Sequence, residues 1–265
     1  MVLPDSCEQS TFNIARSRRN LKMLLEYDGT DFAGWQRQPQ NLHQKTIQGE
    51  IESVLCRVLQ EPVELIAAGR TDAGVHAKAQ VANFLTENSL SISRLKHALN
   101  GLLPSQIKII EIEDAPENFN ARFDAKSRTY RYFLLTRYSA LLSRFTGIYR
   151  YDFDARAMNA CCQEILGQHD FTSFSKAGSQ TKTRICTIEK ARWYQRKNGL
   201  MLEIRANRFL HSMVRLLVGT MIKVGNGELS VQDFDAIFSA KDVCLAATSA
   251  QPQGLFLWHV EYKSA

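Results

Sequence analysis

Apolar positions along this chain alternate between two periods. "LKMLLEYDGT" at 21–30 is a strand-like run that ends in an Asp-Gly turn. In "TIQGEIESVLCRVLQ" at 46–60, Ile47, Ile51, Val54, Leu55 and Val58 recur at helical spacing, and Thr46 precedes them as a candidate N-cap. "VELIAAGRT" at 63–71 and "AQVANFLT" at 79–86 are strands on either side of a turn. "SISRLKHALNGLLP" at 91–104 sets Ile92, Leu95, Leu99 and Leu102 on one helix face, and Pro104 stops it. "QIKIIEIEDAP" at 106–116 alternates as a strand. The order β-α-β-β-α-β is the split βαβ, or ferredoxin-like, arrangement.

The second part of the chain repeats that order. "SRTYRYFLLTR" at 127–137 is a strand, and "ARAMNACCQEILG" at 155–167 is a helix grouping Met158, Cys161, Cys162, Ile165 and Leu166. "TRICTIEKARWYQ" and "LMLEIRANRF" form a hairpin across "RKNG", where Asn198-Gly199 favours a type I′ turn. "HSMVRLLVGTMIKVG" at 211–225 is a helix ended by glycine, a short helix follows from Val231 to Phe238, and "LFLWHVEY" at 255–262 closes as a strand. The expected fold is α/β (α+β): two ferredoxin-like halves, with mostly antiparallel sheets joined edge to edge and a cleft between them. The expected division is a lead-in over 1–20, one half over 21–118 and a second over 119–265.

Composition changes this picture little. At 265 residues, with 45% hydrophobic and 23% charged residues, the chain reads as one large or two small globular domains. No run approaches the roughly 18 apolar residues of a membrane helix, and the N-terminal 20 residues lack a signal-peptide core. Six scattered cysteines form no C-x-x-C pair and carry no metal-spaced histidines, so they read as reduced thiols of a cytoplasmic protein.

Charge changes it more. Residues 121–150 hold seven Lys/Arg against Asp124 alone, and residues 175–208 hold nine against Glu189 and Glu203. The chain's net charge of +6 is therefore concentrated in two segments, as a surface facing a polyanion requires. A merely solvated basic face gives the same numbers. In "AKSRTYRYFLL" at 125–135, alternation puts Tyr130, Tyr132 and Leu134 on one face and Arg131, Phe133 and Leu135 on the other. Aromatics interleaved with arginines suit stacked bases, and they equally suit a core with cross-strand aromatic pairs.

One carboxylate stands out. Asp72 lies in "IAAGRTDAGVHAKAQ" (66–80) and is the only acid from Leu65 to Thr86. An aspartate beside glycine is commonly a turn residue. With a reference pKa of about 3.9, it is also a nucleophile or electrostatic stabiliser that needs no partner base. Arg70 is close enough in sequence to hold it ionised. His76 reads as an acid–base candidate or a packed ring. Glu26, Asp28 and Asp31 read as Mg²⁺ ligands or, better, as turn and edge residues, because no phosphate loop accompanies them. No G-x-S-x-G, Walker or H-E-x-x-H motif is present. Arg215 is the only formally charged residue from Phe209 to Ile222 and needs an acid partner if its helix is buried; Asp72 across the cleft is the expected one, and a snorkelling head group the alternative.

"GRTDAGVHA" resembles the signature of the tRNA pseudouridine synthase A (TruA) family, and the resemblance extends over nearly everything after the lead-in. "YDGTDFAGWQRQ" at 27–38, "FNARFDAKSRTYRYFL" at 119–134, "HDFTSFSKAGSQTKTRICTI" at 169–188, "NRFLHSMVRLLVGTMIKVGNG" at 207–227 and "QGLFLWHVEY" at 253–262 match the family's blocks in order. "AATSAQPQGLF" departs mildly, with less proline than the family often has. The resemblance implies an isomerase that converts uridine to pseudouridine at positions 38–40 of the tRNA anticodon arm. It implies Asp72 as the nucleophile and Tyr130, Arg70 and Arg215 as substrate-binding residues. It also implies no metal or organic cofactor, and a homodimer with tRNA spanning both subunits. Two other readings remain open on the residues alone: a non-catalytic RNA-binding module, and a metal-dependent phosphoesterase using Glu26, Asp28 and Asp72.

Overall fold

The computed structural model describes residues 18–38, 44–178, 181 and 183–263; most of the expected lead-in lies outside them. Strand β1 (Arg19–Tyr27) opens two residues earlier than its hydrophobic run, because Arg19 and Asn20 already pair with Thr86 and Leu85. Helix α1 (Ile47–Leu59) starts where the Thr46 hydroxyl accepts from the Gly49 N–H, and Ile47, Ile51, Leu55 and Leu59 are its buried stripe. Strands β2 (Ile66–Ala67) and β3 (His76–Thr86), helix α2 (Ile92–Leu102) and strand β4 (Ile107–Ala115) complete the first half. The expected 63–71 strand is thus reduced to two paired residues, since the chain leaves the sheet to build the turn that carries Asp72.

The second half runs β5 (Ala125–Leu135), β6 (Gly147–Ile148), α3 (Ala155–Glu164), β7 (Gly167–Asp170), β8 (Ile185–Arg196), β9 (Gly199–Ala206), α4 (Met213–Gly225), α5 (Val231–Ala240) and β10 (Leu255–Tyr262). The main strand order is β4-β1-β3-β10-β5-β9-β8-β7. Each half thus has the same internal order, and the halves meet edge to edge through the parallel β3–β10 pairing at His76–Phe256 and Ala77–Leu257. Apart from this pairing and β5–β6, the ladders are antiparallel.

The β8–β9 hairpin forms, but not with a type I′ turn. That turn needs positive φ at both central residues, and neither Asn198 nor Gly199 has it. Gly199 is instead the first residue of β9, where an added Cβ would sit 1.9 Å from the Leu134 carbonyl oxygen; the glycine serves close strand approach. Cys161 and Cys162 are fully buried in α3, and burial pushes both thiols up to about 12.

The link between the halves is pinned by two buried asparagines. The Asn20 amide donates to the carbonyls of Pro116, Glu117 and Phe119, and Asn83 donates to Phe119 and accepts from the Ala121 N–H. Since both ends of each amide are satisfied inside the protein, the linker has little freedom to hinge.

Candidate active site

Asp72 sits in the turn between β2 and β3, at the junction of the halves, with its side chain 18% exposed. Its Oδ2 accepts from Arg215 Nη1 at 3.0 Å and from the Ser212 hydroxyl at 2.8 Å. His211 Nε2 lies 3.5 Å from Oδ1. These three partners come from the start of α4 in the second half, so the Asp72 turn is held across the cleft. The amino-terminal end of a helix also carries partial positive charge, which favours a carboxylate there. Arg215 is fixed in turn: its Nε donates to the Ala250 carbonyl at 2.9 Å.

Ser212 adopts φ 58°, a left-handed conformation uncommon for serine. Its hydroxyl does not cap α4; it donates to Asp72. A non-glycine residue in this region is held against a local cost of about 1–3 kcal/mol, and here the result is a hydroxyl aimed at the acid.

The turn is supported from beneath. Thr71 bonds through its hydroxyl to Tyr27 Oη at 2.8 Å, and Gln80 Nε2 donates to the Gly69 carbonyl at 2.7 Å. The Trp35 N–H donates to the Thr71 carbonyl at 3.0 Å. Gly34, at φ +97°, lies against the same turn; an added Cβ would be 2.7 Å from the Thr71 oxygen and 3.1 Å from Asp72 backbone carbon. Gly34→Ala is therefore expected to cost about 1–3 kcal/mol in stability, as measured by thermal unfolding.

The other expected site residues fall in different settings. Tyr130 faces the helix side with Tyr132 and Leu134, 7% exposed, packed edge-on to Phe209 at 5.0 Å between ring centres. Burial, then Tyr27 and Asp72, push its phenol up, with Arg128 opposing, so at neutral pH it offers an O–H and not a base. Arg70 is exposed and makes no ion pair or hydrogen bond among the described residues; the cation beside Asp72 is Arg215. His76 is fully buried: its Nδ1 accepts from the Gly29 N–H and its ring stacks on Phe256, a packed ring in place of an acid–base group. Burial lowers its pKa, against the raising effect of Asp28.

Glu26 pairs with Lys78, and Asp28 and Asp31 both pair with Arg144. Among the described residues no three His, Cys, Asp or Glu side chains converge as metal ligands, and no helix is long and apolar enough to cross a membrane. Ser212 and His211 had no recognisable signal in the sequence, because their role depends on how α4 meets the β2–β3 turn.

A family model described as tRNA pseudouridine synthase matches residues 23–124 and 161–263. The chain belongs to the tRNA pseudouridine synthase family. It is 48% identical to the tRNA pseudouridine synthase A of Chlorobaculum tepidum over 94% of this chain and 100% of that protein. The proteins of the same name from Pelodictyon phaeoclathratiforme and Caldicellulosiruptor bescii are 47% and 39% identical, each over 92% of this chain and 100% of their own length. As a pseudouridine synthase the protein is an isomerase acting on uridine in tRNA. Its substrate is a polyanion, and Asp72 is the acid that the fold holds with a serine, an arginine and a helix end from the opposite half.

Proposed function

We propose that Asp72 is the nucleophile that isomerises uridine to pseudouridine at positions 38–40 of the anticodon arm of tRNA. The observation that carries this reading is the Asp72–Arg215–Ser212 constellation, assembled across the cleft from both halves. The C1′–N1 bond breaks, the uracil turns, C5 bonds to C1′, and the proton lost from C5 is balanced by one gained at N1. A carboxylate that adds covalently at C1′ or at C6 keeps the fragments together meanwhile. The uridine must leave its stack to reach the acid. Tyr130 forms the floor beside it, Arg215 keeps the carboxylate aimed, and Arg70, without an acid partner among the described residues, takes RNA at the rim.

The two segments 21–118 and 119–265 act in this reading as the jaws of one cleft, in a cytoplasmic homodimer whose tRNA touches both copies. The test is release of tritium from unmodified tRNA labelled at uridine C5, run in parallel with EDTA and with added Mg²⁺. Release supports the isomerase. Tight binding without release supports a non-catalytic RNA-binding module, and Mg²⁺-dependent cleavage or phosphate release supports a phosphoesterase.

A further inference from the structure

Phe123 is 77% exposed, an unusual state for a phenylalanine, and its backbone is held tightly. The Asn120 side chain accepts from the N–H groups of Arg122 and Phe123 at 3.0 and 3.1 Å. Asp124 closes the turn from the other side: its carboxylate accepts from the Asn120 N–H at 2.8 Å, and its own N–H donates to the Asn120 carbonyl at 3.0 Å. A rigid turn therefore presents an apolar ring to solvent, where a mobile loop would fold it away.

The turn is also fixed to the active site. Arg128 is 8% exposed and spends its guanidinium on backbone carbonyls: Ala68 at 3.0 Å, Arg122 at 2.5 Å, Ala125 at 2.9 Å and Asn207 at 2.8 Å. Ala68 is two residues before Arg70 and four before Asp72, and Asn207 leads into the segment that carries His211, Ser212 and Arg215. One buried side chain thus ties the Phe123 turn to both walls of the cleft. Arg122 lies 5.5 Å from the Phe123 ring centre, and neither Arg122 nor Arg70 has an acid partner among the described residues. Arg128 Nη2 donates to both the Ala68 and the Arg122 carbonyls, which sets the segment leading to Arg70 beside the Phe123 turn; burial, then Arg122, holds the Arg70 guanidinium below its usual range.

We propose that Phe123 is a fixed stacking ledge at the cleft rim for an unpaired base neighbouring the target uridine, with Arg122 and Arg70 holding the adjoining phosphates. Extruding the uridine leaves a neighbouring base without one stacking partner, and an exposed aromatic face can replace it without regard to base identity. Arg122 beside the ring, and Arg70, neither with an acid partner among the described residues, provide the matching charge for the RNA backbone. Phe123 acts here as a substrate-positioning residue. The assignment rests on RNA occupying the Asp72 cleft, as in the proposed function.

The test uses the full chain with an unmodified tRNA transcript tritiated at uridine C5, following binding and turnover separately. Phe123→Ala is expected to weaken binding and raise KM about tenfold, on the scale of one lost base stack, with kcat changed less. Its thermal midpoint should match wild type because the ring is exposed. Phe123→Trp and Phe123→Tyr should restore KM, and Phe123→Leu should not. Arg122→Met should lower the log–log salt slope of binding by roughly 0.7–0.9, one phosphate's worth, whereas Phe123→Ala leaves that slope unchanged. Wild-type KM in Phe123→Ala, or full rescue by leucine, would overturn the ledge. No tritium release from wild type, with binding still weakened in Phe123→Ala, would sink the isomerase reading and leave the ledge standing as an RNA contact.

Discussion

Asp72→Asn is expected to lose at least about 10⁴-fold in turnover, the scale of removing a covalent nucleophile, while remaining folded and able to bind tRNA. The amide keeps the shape of the carboxylate, and its oxygen can still accept from the Ser212 hydroxyl or from Arg215. It cannot form the covalent intermediate. Arg215 keeps the Ala250 carbonyl but loses its charge partner, so stability should fall by only about 1–2 kcal/mol. The substitution removes an acid that faces a polyanion, so tRNA affinity should stay level or rise. Tritium release, equilibrium binding and thermal unfolding on one preparation separate these effects. Pseudouridine formation near the wild-type rate would remove Asp72 from the chemistry.

Arg215→Met should cost about 10²–10³-fold in kcat, comparable to removing one preorganised charge stabiliser. Methionine fills the space of the aliphatic stem but supplies neither the 3.0 Å contact to Asp72 nor the 2.9 Å bond to Ala250. Asp72, 18% exposed, then keeps only the Ser212 hydroxyl and the half-exposed His211 nearby. Its aim loosens, and about 2–3 kcal/mol of stability should go with it. Binding of tRNA should change only a few-fold, because this arginine is spent on protein acceptors. Arg215→Lys should recover part of kcat at most, since one ammonium cannot serve both acceptors in the forked geometry of a guanidinium. An equal loss in binding and kcat would instead make Arg215 a phosphate contact.

The hydrophobic pattern carried most of the fold because each half is a local alternation of periods 2 and 3.6. Leu21, Met23 and Leu25, and likewise Tyr130, Tyr132 and Leu134, face the core as alternation requires. What the pattern missed has non-local causes. Strand β2 shrinks to Ile66–Ala67 because the Asp72 turn is held by residues about 140 positions away. The lone charge of Arg215 within an apolar run pointed to an acid partner, and the structure supplies Asp72. Arg70, two residues away in sequence, pointed to the same acid and turns elsewhere, since near neighbours at a sharp turn diverge. The basic segments are also less bare than their count implies. Arg131 and Lys190 share Glu203, Arg205 pairs with Glu189, Arg144 pairs with Asp28 and Asp31, and Arg128 is buried on carbonyls.

The placement of β10 bears on when activity first becomes available during synthesis. Every other described element precedes β10 in the chain, yet β10 lies at the middle of the sheet, between β3 and β5. Until residues 255–262 leave the ribosome, the β3 edge carries only the two-residue β2, the β5 edge only the two-residue β6, and the β3–β10–β5 seam that joins the halves is missing. Closing contacts of such sequence separation is slow. A nascent chain therefore meets the tRNAs crowded around the ribosome with its acid and its arginine still apart, and chemistry begins only once the central strand is inserted.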